Sequence, residues 1–356
     1  MHIKVGIPLS TGSSAIFLAV ISASVSFCYR PTAATITSQE SHIEPQFFVS
    51  KGLDQDGSLV ANYRRGLDYA IRYFGNYGPY KIYLLGPGNE QDIRAIFRQR
   101  AESRVVLQSS ESREEQIESF LNRPNTIREI EDVLAGNAMG GLTWSGPENR
   151  IYEDVTTNAT SRAQDPIENT WGALHEYHHV FQVAHSDSYK DRSSDHNFNS
   201  WMLEGMATYS SALFMERLGL ADFEAYMLAL RKNGANIGRP GINEFLSEAT
   251  DITLDNETYW DEGPSAQVYY MMGAWAAAYL IHGLKVTEEI VLKKWYQDLP
   301  KYGKAEAFER NMNITLREFY DRFDGFIKKP DEVVMETLRS RTKSDRRQEL
   351  QNKSQQ

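Results

Sequence analysis

Cysteine is nearly missing from this chain. Cys28 is the only one among 356 residues, and it lies in an N-terminal stretch unlike the rest. If that stretch is removed, no disulfide can staple the globular part and no thiolate can ligate a metal, so His, Asp or Glu must hold any ion. An excess of basic charge is missing too. A formal charge of −10 argues against nucleic acid as a partner, which calls for a basic face to neutralise phosphates, and leaves no polybasic handle for a membrane surface. Past the N-terminus no apolar run approaches the roughly 20 residues of a membrane span. Internal repeats are absent.

The N-terminus is apolar. His2 and Lys4 precede AIFLAVISASVSF (15–27), and small residues follow around TAAT (32–35). This reads as a secretory signal over residues 1–34, with an uncleaved N-terminal anchor as the alternative. Bulky Phe27 before Cys28 departs from the small residue that lipid-modified cysteines follow. The expected location is secreted or periplasmic, with membrane attachment only if the leader stays.

Hydrophobic residues make up 41% of the chain, enough for one sizeable core or two lobes sharing a cleft. NYRRGLDYAIRYFGNYG (62–78) has helical spacing, KIYLLG (81–86) reads as a strand, and 90–103 and 112–122 are helix-prone. GGLTWSGPENRIYEDV (140–155) looks like two extended pieces around a Gly-Pro turn. Residues 43–155 are therefore expected to form an N-terminal lobe of helices and a small sheet. A mainly helical lobe follows over 156–328, with segments near 166–184, 200–218, 222–233, 264–282, 287–298, 302–312 and 315–327. Residues 329–356 begin with a short helix after Pro330, then become a charged, aromatic-free tail of disordered composition. The fold class is α+β.

One stretch carries chemistry. HEYHH (175–179) sits in DPIENTWGALHEYHHVFQVAH (165–185), where Asp165 can cap a helix, Pro166 suits its first position and Glu168 completes a box-like start. At 100° per residue His175 and His179 fall within about 40° of each other, so both imidazoles can reach one ion. Glu176 is about 100° from His175 and 60° from His179, badly placed as a ligand but suited to hold a water. His178 faces the apolar stripe of Ile167, Trp171, Leu174 and Phe181 and reads as a buried histidine with one hydrogen-bond partner.

A zinc site needs a third ligand, and there are two candidates. His185 completes a histidine spacing like that of HExxHxxGxxH, but Gln182 stands where a helix-breaking glycine would let the last histidine turn back. Glu204 lies in NSWMLEGMATYSS (199–211), early in a helix that Asn199 or Ser200 could cap. An acid at a helix N-terminus is favoured by the macrodipole without any metal. Gly205 and Ala207, however, are small enough to let this helix approach the HEYHH helix closely.

With HEYHH, WMLEGMATY (201–209) and YMMG (270–273) together, the chain resembles the gluzincin metallopeptidases, over roughly residues 140–327. AFERNMNITLREFYDRFDGFI (307–327) is similar to the closing helices of these catalytic domains. The resemblance implies a zincin-like two-lobe fold. It implies one zinc ion held by His175, His179 and Glu204, with Glu176 as general base. Tyr270 becomes the phenol that stabilises the transition state, although an aromatic in an apolar helix is commonly packing and Tyr269 adjoins it. Asp187, Asp195, His196 or an acid within 216–224 would orient the histidines.

GNAMGGLTW (136–144) departs from the aminopeptidase-like members, because Gly140 follows Met139 where they carry an amine-gripping acid. Aminopeptidase specificity is therefore not implied, and an endopeptidase or a narrow-substrate enzyme acting on peptide or protein substrates fits better, with GLTWSGPENRIYEDV as a strand at the cleft's edge. A catalytically silent binding or chaperone-like protein, or a zinc hydrolase of a non-peptide bond, are the alternatives. The first lobe carries no recognised motif.

Overall fold

The structure, a computed structural model, describes residues 43–105, 109–137, 141–144, 152–157, 165–185, 199, 201–234, 241–248, 254 and 266–339. The leader expected over 1–34 and residues 340–356 of the expected tail lie outside the described residues. Among the described residues the fold is mostly helical with one small sheet, an α+β arrangement, and the chain divides into two compact units.

The first unit holds β1 (Gln46–Val49), most of β2 (Tyr80–Leu85), helices α2 (Glu90–Glu102), α3 (Arg113–Leu121) and α4 (Pro124–Ala135), and strands β3 (Leu142–Trp144) and β4 (Tyr152–Thr157). The sheet order is β1-β2-β4-β3. β1 runs parallel to β2, Gln46 opposite Lys81, and β3 antiparallel to β4, Trp144 opposite Tyr152. Tyr83 and Leu85 of β2 bury against Ile93, Phe97, Ile130 and Val133. Beside this core lies a buried ion cluster. Glu153 of β4 accepts from Arg100 (3.1 Å) and Arg104, and Arg100 also pairs with Glu129. Burial opposes the Glu153 charge, but the two guanidiniums hold its carboxyl below the usual carboxylate range.

The second unit is helical. It contains α1 (Ser58–Phe74), α5 (Pro166–Ala184), a π-helical turn at Trp201–Gly205 that continues into α6 (Met206–Arg217), α7 (Phe223–Asn233), α8 (Ile242–Glu248) and α9 (Ala266–Ala278). After two further π-helical turns come α10 (Trp295–Tyr302), α11 (Lys304–Met312), α12 (Leu316–Ile327) and α13 over 331–339. Among the described residues no helix is long and apolar enough to cross a membrane.

Two boundaries differ from the sequence expectation. α1, placed by its sequence position in the first lobe, packs on α5 instead. Gly66 permits this, because a Cβ there would meet the Thr170 carbonyl oxygen at 2.4 Å, and Thr170 Oγ1 donates to the Asn62 carbonyl across the same contact (3.1 Å). The helical unit also continues past 328. α13 buries Val334, Met335 and Leu338, and buried Arg231 ties its first turn down by donating to Asp331 (2.7 Å) and to the carbonyls of Ile327 and Lys329.

Candidate metal centre

α5 brings the first two site residues to one face. Asp165 caps it by accepting from the amides of Ile167 (2.8 Å) and Glu168 (3.3 Å), and Pro166 takes the first turn, where a missing N–H costs nothing. One turn apart, the His175 and His179 rings stand perpendicular, their centroids 4.7 Å apart. Glu204 arrives from the π-helical turn. Its Oε2 is 3.2 Å from each Nε2, and the two Nε2 atoms are 3.1 Å apart.

These three buried atoms form a nearly equilateral triangle. Zinc at its usual bond lengths, about 2.0–2.2 Å, sets tetrahedral ligand atoms roughly 3.3–3.6 Å apart, so the triangle is within a few tenths of an ångström of that spacing. His175, His179 and Glu204 can thus hold a metal ion. Without an ion these side chains attract a proton instead, which a metal would have to displace. Burial alone would raise the Glu204 carboxyl and lower the His179 imidazole. Mutual attraction reverses both, holding Glu204 well below the usual carboxylate range and lifting His179 to about 9.

The π-helical turn holds Glu204 in place. The Asn199 carbonyl accepts from the amides of Met202 and Leu203, both at 3.0 Å. The Asn199 side chain does not cap. Its Oδ1 accepts from Lys304 (2.6 Å) and its amide nitrogen donates to Tyr320 (3.4 Å). The expected role of Gly205 also needs correction. It faces α9 rather than α5, and a Cβ on it would lie 2.2 Å from the α-carbon of Gly273. The reason is angular, since the residue after Glu204 is turned roughly a quarter of the way round the helix.

Glu176 is half-buried on α5, and its charge helps to raise both His179 and buried Tyr80. Tyr270 is half-buried on α9, one turn before Gly273, and Tyr269 beside it is buried. His178 is fully buried away from the triad, its Nδ1 2.6 Å from Ser210 Oγ, and burial together with His179 and His175 pushes its imidazole well below the ordinary value. His185 stands apart as well. It ends α5 with Nε2 2.8 Å from the Tyr77 hydroxyl. Asp187, Asp195, His196 and Met139–Gly140 lie outside the described residues.

Gln182, which in the sequence only marks the place of a missing glycine, lies beside His179. Its side-chain oxygen is 2.8 Å from His179 Nδ1, and its nitrogen donates to the carbonyls of Leu203 (3.0 Å) and Met202 (3.1 Å). A signal was present, namely one amide in the apolar run VFQVA at i+3 from a candidate ligand, a spacing at which helical side chains meet. Trp171, one turn before His175, stacks on its ring at 4.7 Å and 24°. Compared with known proteins, the chain matches no family model, no curated protein and no solved structure, so the gluzincin likeness stands on its motif residues alone.

Proposed function

We propose that this chain is a zinc-dependent peptidase of gluzincin type, acting outside the cytoplasm as an endopeptidase. The observation that carries the reading is the triangle of His175 Nε2, His179 Nε2 and Glu204 Oε2, with edges of 3.1 and 3.2 Å. Two imidazoles and one carboxylate are the donor set of hydrolytic rather than structural zinc, leaving a coordination position open. A zincin-like two-lobe arrangement, with the HEYHH helix and the Glu204 helix in the helical part, is the fold that goes with it.

The zinc ion, when bound, polarises a carbonyl and makes a water acidic near neutral pH. Glu176 takes the proton of the attacking water and delivers it to the departing nitrogen, a contribution of roughly 10² to 10⁴ in rate. The Tyr270 hydroxyl donates a hydrogen bond to the developing oxyanion. His175, His179 and Glu204 would hold the ion through two neutral imidazoles and one carboxylate. The test is cleavage of a peptide library by the zinc-loaded chain, lost on chelation and in Glu176→Gln. A zinc-loaded chain that cleaves nothing across a saturating library would assign the fold to binding instead.

A further inference from the structure

We propose that Gln182 is the positioning residue that joins the His179 and Glu204 arms of the centre, setting the ligating nitrogen of one and the place of the other through a single amide. This rests on the metal reading above and adds to it a residue that touches neither metal nor substrate.

Gln182 is fully buried. Its amide orientation follows from its neighbours. The carbonyl oxygens of Met202 and Leu203 only accept, so the amide nitrogen must face them. The side-chain oxygen then faces His179 Nδ1 at 2.8 Å. An acceptor opposite Nδ1 keeps a proton there, so the nitrogen that gives up its proton to a metal is Nε2, which faces His175 and Glu204. Leu203 directly precedes Glu204, so the same amide that orients the imidazole also anchors the turn carrying the carboxylate. Tyr296 closes the network by donating to the Met202 carbonyl (2.6 Å), and its oxygen lies 3.1 Å from the Gln182 nitrogen, whose two N–H groups are shared among these three acceptors. The ligand arms come from segments far apart in the chain, and the Gln182 amide links them directly.

The experiment uses the full chain and zinc itself. Zinc affinity is measured by chelator competition for the parent, Gln182→Met and Gln182→Glu, with circular dichroism as the check on folding. Gln182→Met should bind zinc about 10- to 100-fold more weakly, the scale of lost outer partners of a ligand. Gln182→Glu keeps an acceptor for the imidazole but loses the donors to the turn, and should recover part of that loss. Equal affinity in parent and Gln182→Met, or no recovery in Gln182→Glu, overturns the proposal and leaves the metal reading intact. A parent that takes up no zinc overturns the metal reading and the proposal together. Should Gln182→Met fail to fold, nitrogen-15 NMR of the zinc-loaded parent decides. Coordination through His179 Nε2 with a persistent Nδ1–H supports the proposal, and coordination through Nδ1 overturns it.

Discussion

Gly205 and Gly273 meet backbone to backbone. A methyl group on Gly273 would lie 2.5 Å from the Trp201 carbonyl oxygen and 2.7 Å from the Gly205 α-carbon, distances no real Cβ tolerates. Trp201 and Gly205 bound the π-helical turn that carries Glu204, so the contact with α9 sets the carboxylate's position as well as the packing. Gly273→Ala should therefore destabilise the chain by about 1–3 kcal/mol, the cost of overpacking a filled core, and weaken zinc binding. Thermal unfolding and a zinc titration on the same sample check both. An unchanged melting temperature would show that the crossing yields.

Zinc per chain separates the two candidate third ligands. Elemental mass spectrometry should find about one zinc in the parent and far less in Glu204→Ala. His185→Ala should keep its zinc, because His185 is engaged with Tyr77 rather than with His175 and His179. Zinc retained in Glu204→Ala would sink Glu204 as an essential ligand.

Tyr270→Phe should lower kcat by roughly 10²- to 10³-fold with KM little changed, as expected when a donor to a developing oxyanion is removed. Zinc content should stay at the parent level. Tyr269→Phe, changing a buried neighbour on the same helix, should leave kcat near the parent value. Steady-state kinetics on any peptide the parent cleaves makes the comparison.

The ion cluster of the first unit predicts a pH dependence of stability. The folded carboxyl of Glu153 lies below its ordinary value of 4.5. Its stabilisation is therefore complete above that value and is lost as pH falls through the lower folded value. Glu153→Gln leaves Arg100 buried without one of its two carboxylates, a loss of about 3–5 kcal/mol at neutral pH by analogy with broken buried pairs. Urea unfolding from pH 7 downward should show the gap between parent and variant narrowing in acid. A gap that stays constant would mean Glu153 is not charged in the fold.

Much of the local structure was legible along the chain. KIYLLG is β2, the helix-prone segments at 90–103 and 112–122 are α2 and α3, and Asp165-Pro166 starts α5. These follow from apolar spacing and caps, which act within a few residues. α4 is not among the expected segments although its signal is present: Pro124 opens it, Gly136 closes it, and Ile127, Ile130, Val133 and Leu134 recur at helical spacing. β1, a strand of four residues, is too short to show a period in the sequence.

By itself the sequence determined that His175 and His179 share a face, since their spacing on a helix is set by backbone hydrogen bonds between near neighbours. It also determined that any ligand must be His, Asp or Glu, because the globular part has no thiol. Only the tertiary structure decided that Glu204 rather than His185 completes the triangle, that α1 belongs with α5, and that Gln182 reaches both arms. Those outcomes depend on which helix faces meet, and close approach at Gly66 and at Gly205–Gly273 settles that. A glycine's place in the chain does not say which backbone will come to rest against it.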